Sequence, residues 1–291
     1  MSSIERMMEK LKLSTSSGGA PHKVVEQEPV GRRSPSSGAI EKQPKARSTN
    51  IDMNRLESVG FIAPLQDRAK LAEEYRRIKR PLLSNAFGKG ANVIELGNVI
   101  MVASAVSGEG KTFNTLNLAL SMANEMDITV LVVDLDVLNP ALTHLLELDE
   151  KQGLTDVLSD PDVTLEDVIF STNMPKLKIL PSGRKHSQAN ELLASDQMRR
   201  VTHELSTRYP DRIVIFDAPP LLMTSEANVV AGLVGQVLLV VAAGETPQSA
   251  VKEAVALLDA QKVIGVVLNK YKGFNNGQYG AYYCAYGEEQ G

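Results

Sequence analysis

The sequence predicts an α/β fold in which helices cover both faces of a mostly parallel sheet. Two observations support this prediction. Six short runs of Val, Ile and Leu recur from residue 98 onward, and such continuous apolar runs are typical of strands buried on both faces. Segments of helical length separate the runs, and strand–helix alternation of this kind produces parallel sheets. The composition of the 291 residues, 43% hydrophobic and 23% charged, is an ordinary globular balance.

The predicted elements follow one another along the chain. The strands are expected at 98–104, 129–136, 177–183, 211–220, 236–244 and 263–270. Helices are expected between them at about 113–126, 141–149, 189–208, 225–233 and 246–261. An earlier helix is predicted over 66–85, and Pro81 is expected to bend it or end it at Arg80, because proline lacks the N–H donor and clashes with the preceding turn.

The N-terminal part divides into a short amphipathic segment and a linker. Apolar residues at helical spacing predict a short helix over 1–13, which either docks on a partner or frays. Residues 14–50 are rich in Ser, Gly, Pro and basic residues, and they are expected to form a flexible linker. We expect a folded domain over 51–270, in which 51–97 is a helical extension, and a mobile tyrosine-rich tail over 271–291.

Composition and charge exclude several classes of protein. A net charge of −4 argues against nucleic acid as the main partner, and the single Cys284 excludes an internal disulfide framework or a multi-cysteine metal site. The charged N-terminus does not look like a signal peptide. The longest apolar stretch, 229–243, is interrupted and too short to span a bilayer. We therefore expect a cytoplasmic protein that reaches the inner face of the plasma membrane only through a partner or a surface helix.

The first predicted strand leads directly into Ala105-Val-Ser-Gly-Glu-Gly-Lys-Thr112, which fits a phosphate-binding loop with Ala in place of the first Gly. The two glycines allow backbone N–H groups to surround phosphates. A following helix, expected to begin at Phe113, directs its positive dipole end at the anion. The residues expected to contact the nucleotide here are Ser107, Gly108, Glu109, Gly110, Lys111, Thr112 and Phe113.

Carboxylates end two later strands. Asp134 and Asp136 are two residues apart, so they are expected on one side of a strand near the loop; the alternative is a helix cap and a solvated acid. Asp217 precedes Ala-Pro-Pro and is expected to hold Mg²⁺ through water; the alternative is a simple acid at a strand end. With Lys111 and Thr112, these residues predict Mg²⁺-dependent nucleotide hydrolysis or phosphoryl transfer.

Tyrosine is concentrated at the end of the chain. Four of the seven tyrosines, Tyr279, Tyr282, Tyr283 and Tyr286, lie in the last fifteen residues. A tyrosine cluster in an exposed segment can enter an active site and accept a phosphoryl group. An aromatic packing strip and an adhesive low-complexity tail are alternatives that composition leaves open.

Together these motifs resemble those of the bacterial tyrosine kinases, the P-loop autokinases of polysaccharide export, and most closely the autokinases of exosortase (PEP-CTERM) exopolysaccharide loci. The resemblance extends over nearly the whole chain and includes SGEGKTFNTLNLA, VLVVDLDVLNP, DRIVIFDAPPLL and the tyrosine cluster. It implies a P-loop NTPase fold of the partitioning-ATPase-like type. It also implies transfer of phosphate from ATP to protein tyrosine in control of exopolysaccharide synthesis and export.

The resemblance also implies roles for particular residues. Lys111 and Thr112 match the phosphate-binding lysine and the Mg²⁺-binding hydroxyl, and Asp217 matches the Mg²⁺-organising acid. Of the pair Asp134 and Asp136, the first is expected to help to bind Mg²⁺ and to take the proton from the incoming tyrosine. The four tail tyrosines match the phosphoacceptors. Asn269 is expected to contact adenine; the alternative is a strand-end cap.

Partners are implied in the same way. Glu74, Arg77 and Arg80 match a helix motif linked to ring-like homo-oligomers, in which one subunit's tail enters its neighbour's site; the alternative is a solvated charged face. A separate membrane-bound chain-length or export protein is expected as the activator. A tyrosine phosphatase is expected to reverse the modification.

Two residues depart from the family pattern, and two rival functions remain. Leu138 stands where the family usually has Arg, and Ser107 where the loop usually has Pro. One rival is an ATPase switch of the partitioning or division-site type. Such proteins usually carry an extra Lys near the start of the loop, where this chain has Ser104-Ala105-Val106. The other rival is a degenerate regulator that binds ATP without transferring phosphate, for which Leu138 is the only support.

Overall fold

The computed structural model describes residues 47–61, 68–88 and 94–271. Within these residues eight strands form one sheet in the order β1-β4-β5-β3-β6-β2-β7-β8. All neighbouring strands are parallel except β4 and β5, which are antiparallel. The strands are β1 (Ser48–Thr49), β2 (Val99–Ser104), β3 (Thr129–Asp134), β4 (Phe170–Thr172), β5 (Leu177–Leu180), β6 (Arg212–Asp217), β7 (Gln236–Ala242) and β8 (Val263–Asn269).

All six predicted strands are present, so the prediction of a mostly parallel sheet is confirmed. The helices of the described residues are α1 (Met53–Ser58), α2 (Arg68–Phe87), α3 (Lys111–Ala123), α4 (Ala141–Leu145), α5 (Leu154–Ser159), α6 (Leu165–Val168), α7 (Ala189–Leu193), α8 (Asp196–Thr207), α9 (Ser225–Gly232) and α10 (Gln248–Ala256). The single helix predicted over 189–208 is two helices, because Ser195 caps the second one by accepting the Met198 N–H at 3.3 Å.

Two apolar clusters lie on opposite faces of the sheet, as predicted. Alternate residues of one strand point to opposite faces, so Met101 joins one cluster and Val102 the other. Helices α5 to α10 pack on the first face, while α1 to α4 pack on the second. Because both faces are covered, the central strands are buried along their whole length, which explains their uninterrupted apolar sequence.

Helix α2 does not end at Arg80, so that part of the prediction was wrong. It continues through Pro81 to Phe87. Pro81 lies on the exposed side of the helix, while contacts on the buried side hold the chain in place. Lys79 Nζ donates to Ser121 O at 2.7 Å and pairs with Glu125 at 2.6 Å, and Gln236 Nε2 donates to Leu82 O at 3.0 Å. These tertiary contacts outweigh the local cost of proline.

Ordered structure begins earlier than residue 51. Strand β1 pairs with Ser171 and Thr172 of β4, and Ile51 N donates to Asn173 Oδ1 at 2.8 Å. The last residues of the predicted linker, 47–50, are therefore part of the sheet edge. The helix predicted over 1–13, the rest of the linker and the four tail tyrosines lie outside the described residues. No helix within the described part of the chain is both long and apolar enough to cross a bilayer.

Candidate active site

The predicted phosphate loop connects β2, in the middle of the sheet, to α3. Gly108 and Gly110 have φ angles of +82° and +95°, a conformation that glycine adopts without the steric cost of a Cβ atom. A Cβ atom on Gly110 would lie 2.0 Å from Asn269 Nδ2, whereas one on Gly108 would meet nothing within 4 Å. Helix α3 begins at Lys111 rather than at Phe113, so Lys111 and Thr112 already belong to its first turn.

The side chain of Glu109 stabilises the loop through hydrogen bonds. It is buried, and Oε2 accepts the Val106 N–H at 2.7 Å while Oε1 accepts the Thr246 hydroxyl. Two amides hold the loop carbonyls: Asn269 Nδ2 donates to Glu109 O at 2.8 Å, and Asn114 Nδ2 donates to Gly110 O at 2.9 Å. Asn269 therefore supports the loop, and its predicted contact with adenine stays a prediction.

The three predicted carboxylates come together beside the loop. Asp134 and Asp217 are the last residues of β3 and β6 and are paired in register across these neighbouring strands. Both are buried, with 0% and 2% of their surface exposed. Asp136 lies two residues beyond the end of β3 and is half-buried. The prediction that Asp136 belongs to the strand was therefore wrong.

Hydrogen bonds fix the two buried carboxylates. Asp134 Oδ2 accepts the Thr143 N–H at 2.9 Å and its hydroxyl at 2.8 Å, and Oδ1 accepts the Asp136 N–H at 3.2 Å. Asp217 Oδ1 accepts the Thr115 hydroxyl at 3.0 Å, and the nearby Thr112 lowers the pKa of this carboxyl. Sequence reasoning did not identify Thr115 or Thr143. Thr115 could have been found, because it lies one helical turn after Lys111, whereas Thr143 has no local signal.

The local electrostatics favour a bound cation. Burial raises the pKa of Asp134, and the charge of Asp217 raises it further. Burial also raises the pKa of Asp217, although Thr112 and Lys111 partly oppose this shift. Burial likewise raises the pKa of Asp136, and Lys111 opposes that rise. An excess of buried carboxylate beside one lysine suits a divalent cation.

The donors present fit Mg²⁺ held together with phosphate. The described residues contain no group of three acidic, histidine or cysteine side chains arranged to hold a metal ion by themselves. Mg²⁺ at nucleotide sites usually keeps several waters and takes only one or two protein carboxylates along with phosphate oxygens. Thr112 and the buried pair Asp134 and Asp217 provide such a set.

The other predicted residues are spread around this centre. Ser107 is exposed at the tip of the loop, and Phe113 is half-buried in the first turn of α3. Leu138, at the family's Arg position, is exposed. Glu74, Arg77 and Arg80 are exposed on α2, where Arg77 Nε lies 3.9 Å from Glu73.

Comparison with known proteins agrees with this geometry. A model of the AAA domain family matches residues 97–262. Tyrosine-protein kinase YwqD of Bacillus subtilis is 30% identical over 76% of this chain and 90% of its own length. Putative tyrosine-protein kinase CapB of Staphylococcus aureus is 28% identical over 78% of this chain and 97% of its own length.

Solved structures of two kinds superimpose on this chain. The VpsO kinase domain superimposes with a TM-score of 0.55 and 31% identity, over 68% of this chain and 99% of that domain. The septum site-determining protein MinD of Pyrococcus horikoshii, complexed with Mg-ADP, superimposes with a TM-score of 0.50 and 28% identity, over 60% of this chain and 70% of MinD. The loop, the paired aspartates and these relatives together show a nucleotide-binding domain, and the chain belongs to the bacterial tyrosine-protein kinases, within the AAA domain family.

Proposed function

We propose that this chain is an ATP-dependent protein-tyrosine autokinase, that it phosphorylates its C-terminal tyrosines in trans within an oligomer, and that it thereby regulates exopolysaccharide synthesis and export. The observation that carries the proposal is the pairing of Asp134 and Asp217 at the phosphate loop, with the half-buried Asp136 two residues beyond Asp134. The proposed acceptors are Tyr279, Tyr282, Tyr283 and Tyr286.

In the proposed reaction, the tyrosine oxygen forms a bond to the γ-phosphorus of ATP, and the bond to the β–γ bridging oxygen breaks. ADP leaves, and the phenol proton passes to an aspartate. Lys111 and the N–H groups of the loop would hold the phosphates, and Thr112, Asp134 and Asp217 would hold Mg²⁺, which would supply charge neutralisation for the phosphoryl group. Most of the rate acceleration then comes from positioning and charge stabilisation.

Burial supports a proton acceptor different from the one that the family resemblance implies. The family resemblance implies Asp134 in this role. Asp134 is fully buried, however, and its oxygens already accept three hydrogen bonds. Asp136 is half-buried and accepts the Asn139 N–H at 3.1 Å, so it is the carboxylate more open to an incoming hydroxyl. We therefore assign metal organisation to Asp134 and Asp217, and proton acceptance to Asp136.

Transfer between subunits is supported by the surface beside the loop. Glu74, Arg77 and Arg80 are exposed on α2. A cavity of about 320 Å³ between α2 and β8 is lined by Glu74 and Arg77 together with Phe113 of the first turn of α3. Val266 and Leu268, which line it from β8, are 60% and 56% exposed. A second copy bound to this face would lie next to the nucleotide.

Membrane partnership is proposed on the basis of longer relatives. The succinoglycan biosynthesis transport protein ExoP of Rhizobium meliloti is matched over 32% of its length, so the matched region is one part of a larger chain there. We propose that a separate membrane-bound chain-length or export protein performs the activating role here, at the inner face of the membrane. A tyrosine phosphatase would reset the tail.

The competing function is an ATPase switch, which the similarity to MinD favours. Purified chain incubated with Mg-ATP should acquire phosphate on the tail tyrosines, mapped by mass spectrometry, while the Lys111→Met variant should acquire none. Tyr209, which lies within the folded domain, should remain unmodified and serve as an internal control. ATP turnover without phosphotyrosine would support the switch. Nucleotide binding with neither turnover nor transfer would support the degenerate regulator.

A mixing experiment tests transfer in trans. The Lys111→Met chain, which keeps its tail, is combined with an active chain whose four tail tyrosines are changed to phenylalanine. Phosphotyrosine should then appear on the Lys111→Met chain. If the wild-type chain phosphorylates itself but the mixture stays unmodified, transfer occurs in cis.

A further inference from the structure

A second polar cavity lies near the start of β6, whereas the phosphate loop lies beside the end of that strand. Arg212 begins β6 and Asp217 ends it, so five residues at about 3.3 Å each place the two ends roughly 17 Å apart. The cavity has a volume of about 220 Å³. Its basic lining consists of Arg47, Lys178, Arg208 and Arg212.

The charges around this cavity are unbalanced. Glu166 is the one carboxylate in the lining, and it pairs with Arg208. Among the described residues, Arg47 donates to the neutral Gln152 at 3.2 Å, and although it lowers the pKa of Asp167 it forms no ion pair with it. Neither Lys178 nor Arg212 forms an ion pair in the part of the chain that the structure describes. In the described residues, three cations thus border a small space and none of them forms an ion pair.

Arg212 is the most informative of them. Only 5% of its surface is exposed, and its guanidinium carbon lies 3.8 Å from the centroid of the Tyr209 ring. Burial lowers the pKa of Arg212, which the neighbouring Tyr209 and Asp211 partly oppose. A buried charge that forms no ion pair, as is true of Arg212 within the described residues, is costly. Stacking on Tyr209 occupies a face of the guanidinium and leaves donors in its plane for a ligand.

We propose that this cavity, the basal anion site formed by Arg47, Ser171, Lys178, Tyr209 and Arg212, binds a phosphate group. Arginine and lysine are the residues that proteins use for oxyanions, and Ser171 adds a hydroxyl donor. The volume is below the roughly 300 to 1,000 Å³ typical of pockets for whole small molecules. The site therefore accepts the phosphate group of a ligand and not an entire nucleotide.

The position of the site gives the bound phosphate a structural effect. Arg47 directly precedes β1, and Ser171 of β4 pairs with Ser48 of β1. Strand β1 has only two residues and joins the sheet through β4 alone. A phosphate bridging Arg47 to Arg212 and Lys178 would fasten this strand to the domain. The free energy of binding would then stabilise the sheet edge that β1 forms.

Isothermal titration calorimetry of the full chain tests the proposal. Mg-ADP is kept saturating so that the phosphate loop is occupied, and sodium chloride holds the ionic strength constant. Inorganic phosphate and glycerol 3-phosphate are the two probes. We expect saturable binding of at least one, weakened at least tenfold in Lys178→Gln and in Arg212→Gln. The control Arg199→Gln, which removes an exposed arginine paired with Asp196 at 3.3 Å, should bind like the wild type.

Each outcome is decisive. Binding of inorganic phosphate alone identifies free phosphate as the ligand, and tighter binding of the ester identifies a phosphomonoester. Lys178 is only half-buried, so Lys178→Gln decides the matter if circular dichroism shows that Arg212→Gln does not fold. Absence of saturable binding in the wild type, or binding that Lys178→Gln leaves unchanged, overturns the proposal.

Discussion

The two left-handed glycines of the phosphate loop differ in what a methyl group would meet. Alanine at Gly108 would meet no neighbouring atom, so its only destabilising effect would be the positive φ angle. That conformation costs a residue with a Cβ atom on the order of 1 kcal/mol. Alanine at Gly110 would also collide with the Asn269 amide that holds Glu109 O. We expect Gly108→Ala to weaken Mg-ATP binding several-fold and Gly110→Ala to abolish it, as measured by calorimetry.

A control separates loop distortion from general loss of stability. Gly232 is the last residue of α9, and a Cβ atom there meets nothing within 4 Å. Gly232→Ala should leave Mg-ATP affinity unchanged. Equal losses of affinity in Gly108→Ala and Gly110→Ala would show that the contact with Asn269 has no importance for binding.

The assignment of the proton acceptor gives a second prediction for single residues. Asp136→Asn should reduce phosphotransfer by about 100-fold or more while the affinity for Mg-ATP changes little, since general bases typically contribute 10²- to 10⁴-fold. Asp134→Asn should lose both phosphotransfer and affinity for Mg-ATP. The substitution removes a carboxylate that would hold Mg²⁺, and it alters the hydrogen bonds with Thr143. The assignment implied by the family would be correct instead if Asp136→Asn kept its activity and Asp134→Asn lost only transfer.

Asp217 illustrates a conflict between function and stability. Its pKa is raised on folding, so the folded state holds the proton more tightly than the unfolded chain does. In the absence of Mg²⁺, the contribution of Asp217 to the stability of the folded state is therefore greatest below pH 4. This contribution falls as the pH rises through the raised pKa. Asp217→Asn should make the nucleotide-free protein more stable at pH 8 by about 1 to 2 kcal/mol, and should abolish activity.

Urea denaturation at pH 5 and pH 8 measures this effect. The gain from Asp217→Asn should be larger at pH 8, and Mg-ATP should stabilise the wild type but not the variant. The exposed Asp127→Asn serves as the matched control and should change neither quantity. A variant less stable than the wild type at pH 8 would mean that the hydrogen bond from Thr115 outweighs the cost of burying the charge of Asp217.

Among the elements, α2 connects the predicted oligomer face to the loop. Tyr75 is buried next to the exposed Glu74, and its hydroxyl donates to Asn114 Oδ1 at 2.9 Å. Asn114 in turn donates to Gly110 O at 2.9 Å. Tyr75→Phe should therefore lower stability by about 1 to 3 kcal/mol, since it leaves a buried acceptor without a partner.

The same substitution should weaken Mg-ATP binding by about three- to tenfold, because Gly110 O is held less firmly. Tyr271→Phe, at an exposed tyrosine beyond β8, should change neither stability nor affinity. Fluorescence titration with a labelled nucleotide and thermal unfolding provide the two readouts. If Tyr75→Phe lowered stability but left the affinity for Mg-ATP unaltered, Tyr75 would contribute to packing and not to nucleotide binding.

How much could be predicted depended on the length and contacts of each element. Strands β3 and β6 were predictable because each is an uninterrupted apolar run that ends in aspartate, and the phosphate loop because its glycines lie between strand and helix. Strands β1 and β4 were missed because they have two and three residues and contain Ser and Thr. Thr143 was missed because its contact with Asp134 exists only once α4 has packed against the sheet edge.

At the scale of the whole molecule, the distribution of charge predicts how assembly responds to phosphorylation. The chain has a net charge of −4. Each phosphate adds roughly −1.5 to −2, so four modified tyrosines would more than double that charge. A phosphorylated tail would be repelled by the active-site carboxylates Asp134, Asp136 and Asp217 of a neighbouring copy, and its phosphates would repel one another.

We therefore expect the unphosphorylated chain to assemble and the fully phosphorylated chain to dissociate, as measured by sedimentation velocity. A variant with phenylalanine at all four tail positions should stay assembled in Mg-ATP. Because salt screens such repulsion over about 10 Å at 0.1 M, raising the ionic strength should shift the phosphorylated chain back toward the assembled form. A fully phosphorylated chain that sediments like the unmodified one would contradict this electrostatic switch, even if the kinase activity itself were established.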